Sequence, residues 1–195
     1  LAAMIRAKDV SSREVVDAHL ARIEAVNPTV NAITVVLADQ ARAAADAADR
    51  SEPTGPLHGV PITVKENIDL VGTPTTSGLT VLAEAMPTAN APVVERMLAA
   101  GAIPIGRTNL PELGLRIDTS NALRGRTGNA WNPALTPGGS SGGEGSAIGS
   151  RMSPLGLGND IGGSLRAPAF CNGVVGMRPP MHRVPAEEPA VGVAV

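Results

Sequence analysis

The sequence predicts an α/β fold, a mixed β-sheet layered between helices. Three stretches carry that expectation: a capped, helically periodic run after Ser11, a β-branched run at 60–64, and a helix–turn–strand order from Asn90 to Ile105. Strands spaced by helices assemble into a sheet covered by the helices between them.

The elements follow in chain order. Ser11 with Glu14 three residues on is a capping-box pattern. Val15, Val16, Leu20, Ile23 and Val26 then recur at helical spacing, and Asn27-Pro28 is expected to end the helix. His19 falls off this apolar face and reads as a solvated surface histidine. An Ala-rich helix is expected from Thr34 to Arg50, broken by Pro53 to Pro56. Val60 to Val64 reads as a buried strand with Lys65 at its end, and Gly72 to Gly78 as loop. Asn90 is placed to cap a helix with Pro92 in its first turn and Gly101 past its end. Ile103 to Ile105 is a short strand. From Thr108 to Thr136 the chain reads as loop with one helical turn near Leu110–Leu113. A small-residue helix is expected from about Gly143 to Arg151, before the short apolar run Pro154–Gly158.

Bulk composition narrows the function classes. A chain of 195 residues can fold as one domain and bury about 70% of its unfolded surface. With one Trp, one Phe and no Tyr, the core must be aliphatic. A formal charge of −2 gives no electrostatic case for nucleic acid. The single cysteine, Cys171, excludes an internal disulfide and is expected to be a packed core thiol. Three scattered histidines form no metal-ligand pattern. No apolar run approaches a membrane span, and no signal-peptide start is visible. A cytoplasmic enzyme without cofactor or metal is the expectation.

The chemistry concentrates between Pro137 and Arg166, where Ser140–Ser141 and Ser164 are flanked by glycines. Such serines leave backbone N–H groups bare and a carbonyl's approach unobstructed. A P-loop is excluded, because the only lysines are Lys8 and Lys65. A dinucleotide-binding turn needs a preceding strand, and residues 134–137 make a poor one. The nucleophile elbow Gly-x-Ser-x-Gly is matched formally around Ser140 and around Ser141. It too wants a strand before it, and the only histidine downstream is His182, in a Pro-rich tail. A lone lysine after a strand is ordinarily a solvated charge, and glycine-flanked serines are ordinarily turns; the two together remain to be explained.

Three blocks resolve this by resemblance. GVPITVKENID (59–69), PGGSSGGEGSAIGS (137–150) and GLGNDIGGSLRAPA (156–169) resemble the amidase signature family, as do GRTN (106–109) and NAWN (129–132). The resemblance covers nearly the whole chain. It implies Lys65 as general base, Ser140 as bridging serine entered by a cis peptide from Gly139, and Ser164 as nucleophile. It further implies an oxyanion hole from the N–H groups of Ile161, Gly162, Gly163 and Ser164. Gly114 lies where related hydrolases line the substrate channel, and Ser141, Asp160 and Arg166 are supporting candidates. The implied reaction is hydrolysis of a carboxylic amide to acid plus ammonia or amine, through an acyl-enzyme.

These roles are chemically coherent. A serine hydroxyl is a weak nucleophile without a base. Lysine serves as base only when neutral, a state held at pH 7 by roughly one molecule in a few thousand at the reference pKa. Burial disfavours the ammonium and moves that balance.

One departure is Asn159, where the family commonly has Thr. The larger departure is length, since family catalytic domains are roughly twice this size or more. The chain is therefore read as one amidase-signature domain over 1–195, a fragment, with N-terminal helices in 1–52 and the catalytic core segment in 57–179. Its sheet is expected to be incomplete at the C-terminus. Two alternatives stay open: a non-catalytic fragment, and the amidotransferase component that acts on misacylated tRNA. The expected partner is a small amide. An incomplete sheet would also expose an apolar edge and favour a homo-oligomer. Self-association in sedimentation is the expected outcome, and a sharp, cooperative monomeric unfolding transition would contradict it.

Overall fold

The computed structural model describes residues 1–181 and 183–185; His182 and most of the Pro/Ala/Val tail lie outside the described residues. The architecture is a mixed four-stranded sheet with helices over it. Short helix α1 (Ala2–Ala7) precedes α2 (Ser12–Val30), β1 (Ile33–Val36) and α3 (Ala38–Asp49). Strand β2 (Pro61–Lys65), α4 (Pro92–Ala99) and β3 (Ile103–Thr108) follow. The hairpin β4 (Ser120–Asn121)–β5 (Gly125–Arg126) leads to α5 (Gly142–Gly149), β6 (Gly156–Leu157) and α6 (Arg166–Asn172). The sheet order is β1-β3-β2-β6, with β2 parallel to both neighbours and β1 antiparallel to β3.

Several elements depart from the sequence reading. Helix α2 does start on the Ser11–Glu14 capping box, but it runs through Pro28 to Val30. Pro28 gives up one bond of the ladder, and the helix closes within a turn of it, on Asn31 in the left-handed region (φ 48°). Asn27 then organises the exit, its Oδ1 accepting from the N–H groups of Ala32 and Ile33. The helix expected from Thr34 begins only at Ala38. Before it, Ile33–Val36 is a β-branched run that gains a ladder against β3, and such residues fit a pleated surface better than a helix. Asn90 is not a cap: its Oδ1 accepts from Val71 N–H, and Ala91 takes the N-cap position. His19 is half-buried against the Arg151 and Met152 carbonyls, and burial lowers its pKa. Cys171 is half-buried too, not packed in the core.

Strand alternation sorts the side chains of β2. Ile62 and Val64 are fully buried in a cluster with Leu37, Ile68 and Val94 of α4. Thr63 and Lys65 point the other way, towards α5, as a period of two requires. Ile103 and Ile105 of β3 anchor the second cluster, with Val16, Leu20 and Ile23 of α2, Ala41 and Ala45 of α3, and Ala147 of α5. Gly143 is required where α5 meets β3, since a Cβ there would lie 2.4 Å from the Asn109 backbone nitrogen.

Ile105 is 0% exposed at the centre of its cluster. Truncating Ile105→Ala is expected to cost about 2–5 kcal/mol, the range for buried Ile-to-Ala changes. Urea unfolding should show a lower midpoint with an unchanged slope; a shift of a few tenths of a kcal/mol would mean the layer is not packed as described.

Candidate active site

The site is built from three segments distant in sequence. Lys65 ends β2 and is fully buried. Its backbone is fixed by Arg107 of β3, also fully buried, whose guanidinium donates to the carbonyls of Val64 (3.3 Å), Lys65 (3.1 Å) and Ile68 (2.6 Å) and to Thr73 Oγ1. Burial holds that guanidinium down at about 10, with Glu66, Asp69 and Glu144 opposing the shift. Next along the chain, the buried Glu66 carboxylate accepts from Arg124 (2.6 Å), Thr34 (2.6 Å) and Thr76 (3.0 Å). The residue carrying the amine is thus clamped on both sides.

The second segment is the turn into α5. The Gly139–Ser140 peptide is cis, and Lys65 Nζ donates to Ser140 Oγ at 2.7 Å. Gly114, at the end of a short 3-10 turn, stands beside the same hydroxyl. A Cβ there would lie 3.2 Å from Ser140 Oγ, and its φ of +70° suits glycine.

The third segment is the loop 158–165. Asn159 Oδ1 accepts from Lys65 Nζ at 2.6 Å. Ser141 staples this loop to the paired-serine turn: its hydroxyl donates to the Asn159 carbonyl (3.3 Å) and its N–H to the Ser164 carbonyl (3.1 Å). Asp160 closes the loop from within, accepting from the N–H groups of Gly163 (2.7 Å) and Leu165 (3.0 Å) and pairing with Arg166 at 2.9 Å. The Arg166 guanidinium, with those amides, holds the Asp160 carboxyl well below the usual range.

Lys65 and Ser140 are therefore brought into contact. Ser164 enters through its backbone, and no side-chain hydrogen bond joins its hydroxyl to Ser140 among the described residues. The Gly163 N–H is already engaged by Asp160. This leaves the amides of Ile161, Gly162 and Ser164 without a backbone or side-chain acceptor among the described residues. Ile161 is 76% exposed, and Cβ atoms built on Gly162 and Gly163 would meet nothing within 4 Å, so this side of the loop is open.

Sequence reasoning misses Glu144, Arg107 and Asn159 as site residues. Glu144 sits in the first turn of α5 and is held by the hydroxyls of Thr63 (2.6 Å) and Thr108 (2.8 Å). Its one signal in the sequence is that of a single carboxylate inside an otherwise small, uncharged helix. Burial pushes its carboxyl up to about 7, against the threonine hydroxyls, Lys65 and Arg107.

Comparison with known proteins identifies the family. A family model described as amidase matches residues 14–193, so the chain belongs to the amidase signature family. It is 49% identical over 189 residues to the indoleacetamide hydrolase of Bradyrhizobium diazoefficiens, covering 95% of this chain and 36% of that protein. It is 43% identical over 180 residues to a glutamyl-tRNA(Gln) amidotransferase subunit from Synechococcus, covering 90% of this chain and 37% of that one. The chain thus spans little more than a third of those relatives. A crystal structure of an amidase superposes with a TM-score of 0.89 at 34% identity, over 97% of this chain and 44% of that one. The mixed α/β sheet is the fold of such amidase structures.

The raised Glu144 carboxyl has a pH consequence. It binds its proton more tightly in the folded than in the unfolded chain, so its contribution is complete below about 4.5 and is lost as pH rises through about 7. Relative to Glu144→Gln, the wild type is expected to lose about 3 kcal/mol over that window, read from urea midpoints at each pH. His19, whose effect has the opposite sign, is common to both proteins and cancels. Parallel pH profiles for the two proteins would rule this out.

Proposed function

We propose that the chain carries the proton-handling part of an amide hydrolase, with Lys65 as base, Ser140 as bridge and Ser164 as nucleophile. The observation that carries the reading is the 2.7 Å contact between the fully buried Lys65 amine and Ser140, in a chain of this family. Desolvation favours the neutral amine that a base requires.

In the proposed cycle Ser164 Oγ attacks the amide carbon. Its proton passes to Ser140 as the Ser140 proton passes to Lys65, a hydroxyl being both donor and acceptor. Charge gathering on the former carbonyl oxygen is met by the open amides around Ile161, Gly162 and Ser164, each such donor being worth about 10²–10³ in rate. Collapse of the tetrahedral adduct breaks the C–N bond. The leaving nitrogen takes the proton back through Ser140 and departs as ammonia or an amine. Water then adds to the Ser164 ester, its proton passing through Ser140 to Lys65; the C–Oγ bond breaks, the proton returns to Ser164 Oγ, and the acid is released. Asp160, Arg166 and Ser141 hold the loop, and Gly114 leaves room beside Ser140.

The higher identity to a hydrolase of indoleacetamide favours primary arylacetamides as the first substrates to try. A second reading, a component of a tRNA-dependent amidotransferase, draws on the 43% identity to the Synechococcus protein. It differs in handing ammonia to a partner rather than to solvent.

Ammonia release from a panel of aliphatic and aryl amides, indoleacetamide included, tests the proposal. Ser164→Ala and Lys65→Ala are each expected to reduce turnover by about 10⁴-fold or more. Turnover persisting in both variants would sink the assignment. Ammonia released only when a tRNA-binding partner is supplied would favour the second reading.

A further inference from the structure

We propose that Asn159 is a positioning residue for the Lys65 amine, holding one of its N–H bonds so that the nitrogen faces Ser140. The inference rests on the proposed role of Lys65 and extends it to a residue that reading leaves unused.

Two of the amine's hydrogen-bond partners differ in character. Asn159 presents a carboxamide oxygen at 2.6 Å, and Ser140 a hydroxyl at 2.7 Å. A carboxamide oxygen only accepts, whereas a hydroxyl both donates and accepts. Contact with Asn159 therefore consumes an N–H of the amine in either protonation state. When the amine is neutral, its lone pair cannot be used towards Asn159, and of these two partners Ser140 is the one with an O–H to offer it. Asn159 thereby turns the lone pair towards Ser140, the partner with which the amine exchanges its proton.

Asn159 is itself held in place. Its carbonyl accepts from the Ser141 hydroxyl, one residue from Ser140, and Asp160 beside it is tied to Gly163, Leu165 and Arg166. The amide oxygen is thus referred to the same turn as the hydroxyl it opposes. Other charged groups around Lys65 are Glu144 of α5, coupled to it electrostatically, and Arg107 of β3 on its carbonyl. Glu66 follows it, closed on Arg124. All are unchanged by substitution at 159.

The chain has two lysines, Lys8 and Lys65, so ¹⁵N-lysine labelling gives a two-signal spectrum. Exposed Lys8 serves as internal reference. The side-chain nitrogen of Lys65 is titrated in wild type, Asn159→Leu and Asn159→Asp. Loss of the acceptor in Asn159→Leu is expected to lower the Lys65 midpoint by about one pH unit, a tenfold change. The charged acceptor in Asn159→Asp should raise it by at least as much, with Lys8 unmoved. If Asn159→Leu does not fold, the isosteric Asn159→Asp carries the test alone. Equal Lys65 midpoints in the folded proteins would overturn the proposal. Because no turnover is measured, this outcome is independent of whether Ser164→Ala abolishes amide hydrolysis.

Discussion

A lysine amine removed from water is the constraint around which this molecule is arranged. An isolated buried ammonium is expensive, and the structure answers with acceptors placed to within hydrogen-bond distance: Ser140 Oγ at 2.7 Å and Asn159 Oδ1 at 2.6 Å. Neither acceptor would be in place without the backbone around it. Arg107 gathers the carbonyls at the exit of β2, and Glu66 ties the following residue to Arg124, Thr34 and Thr76. The end of the strand is consequently held against the elements on either side.

Small residues perform the second task, which is close approach. Helix α5 begins as Gly142-Gly143 because Gly143 lies against the Asn109 backbone and Gly142 against the Thr119 side chain, where a side chain would not fit. That contact brings Glu144 under Thr63 and Thr108, on the strand positions that face α5. It also brings the Ser140–Ser141 turn over Lys65. Ser141 then joins this turn to the 158–165 loop through two hydrogen bonds, and Asp160 keeps the loop closed. Sheet, helix and loop are coupled through short polar contacts whose geometry depends on the aliphatic layers behind them.

Much of the frame is legible in the chain. The β-branched run at 60–64 with Lys65 at its end, the proline-started helix α4 and the strand after Gly101 are local patterns, and local patterns can be read in one dimension. The departures share a cause. Ile33–Val36 merges with the Ala-rich helix in a linear reading because its strand character needs β3 as a partner. Pro28 reads as a stop because its tolerance depends on where the helix closes. His19 reads as solvated because the carbonyls at Arg151 and Met152 that cover it come from far along the chain.

The linear order of residues alone settled where a strand would end in a lysine, where glycines would strip a turn of side chains, and which serines would stand in it. Folding decided the rest: that the lysine is sealed from water, that Glu144 lies near it with a raised pKa, that Arg107 clamps its carbonyl, and that an asparagine oxygen opposes Ser140 across the amine. Periodicity and turn chemistry act between near neighbours and leave a trace in sequence. Burial, and a hydrogen bond between residues 65 and 159, exist only once β2, β3, α5 and the loop are packed together.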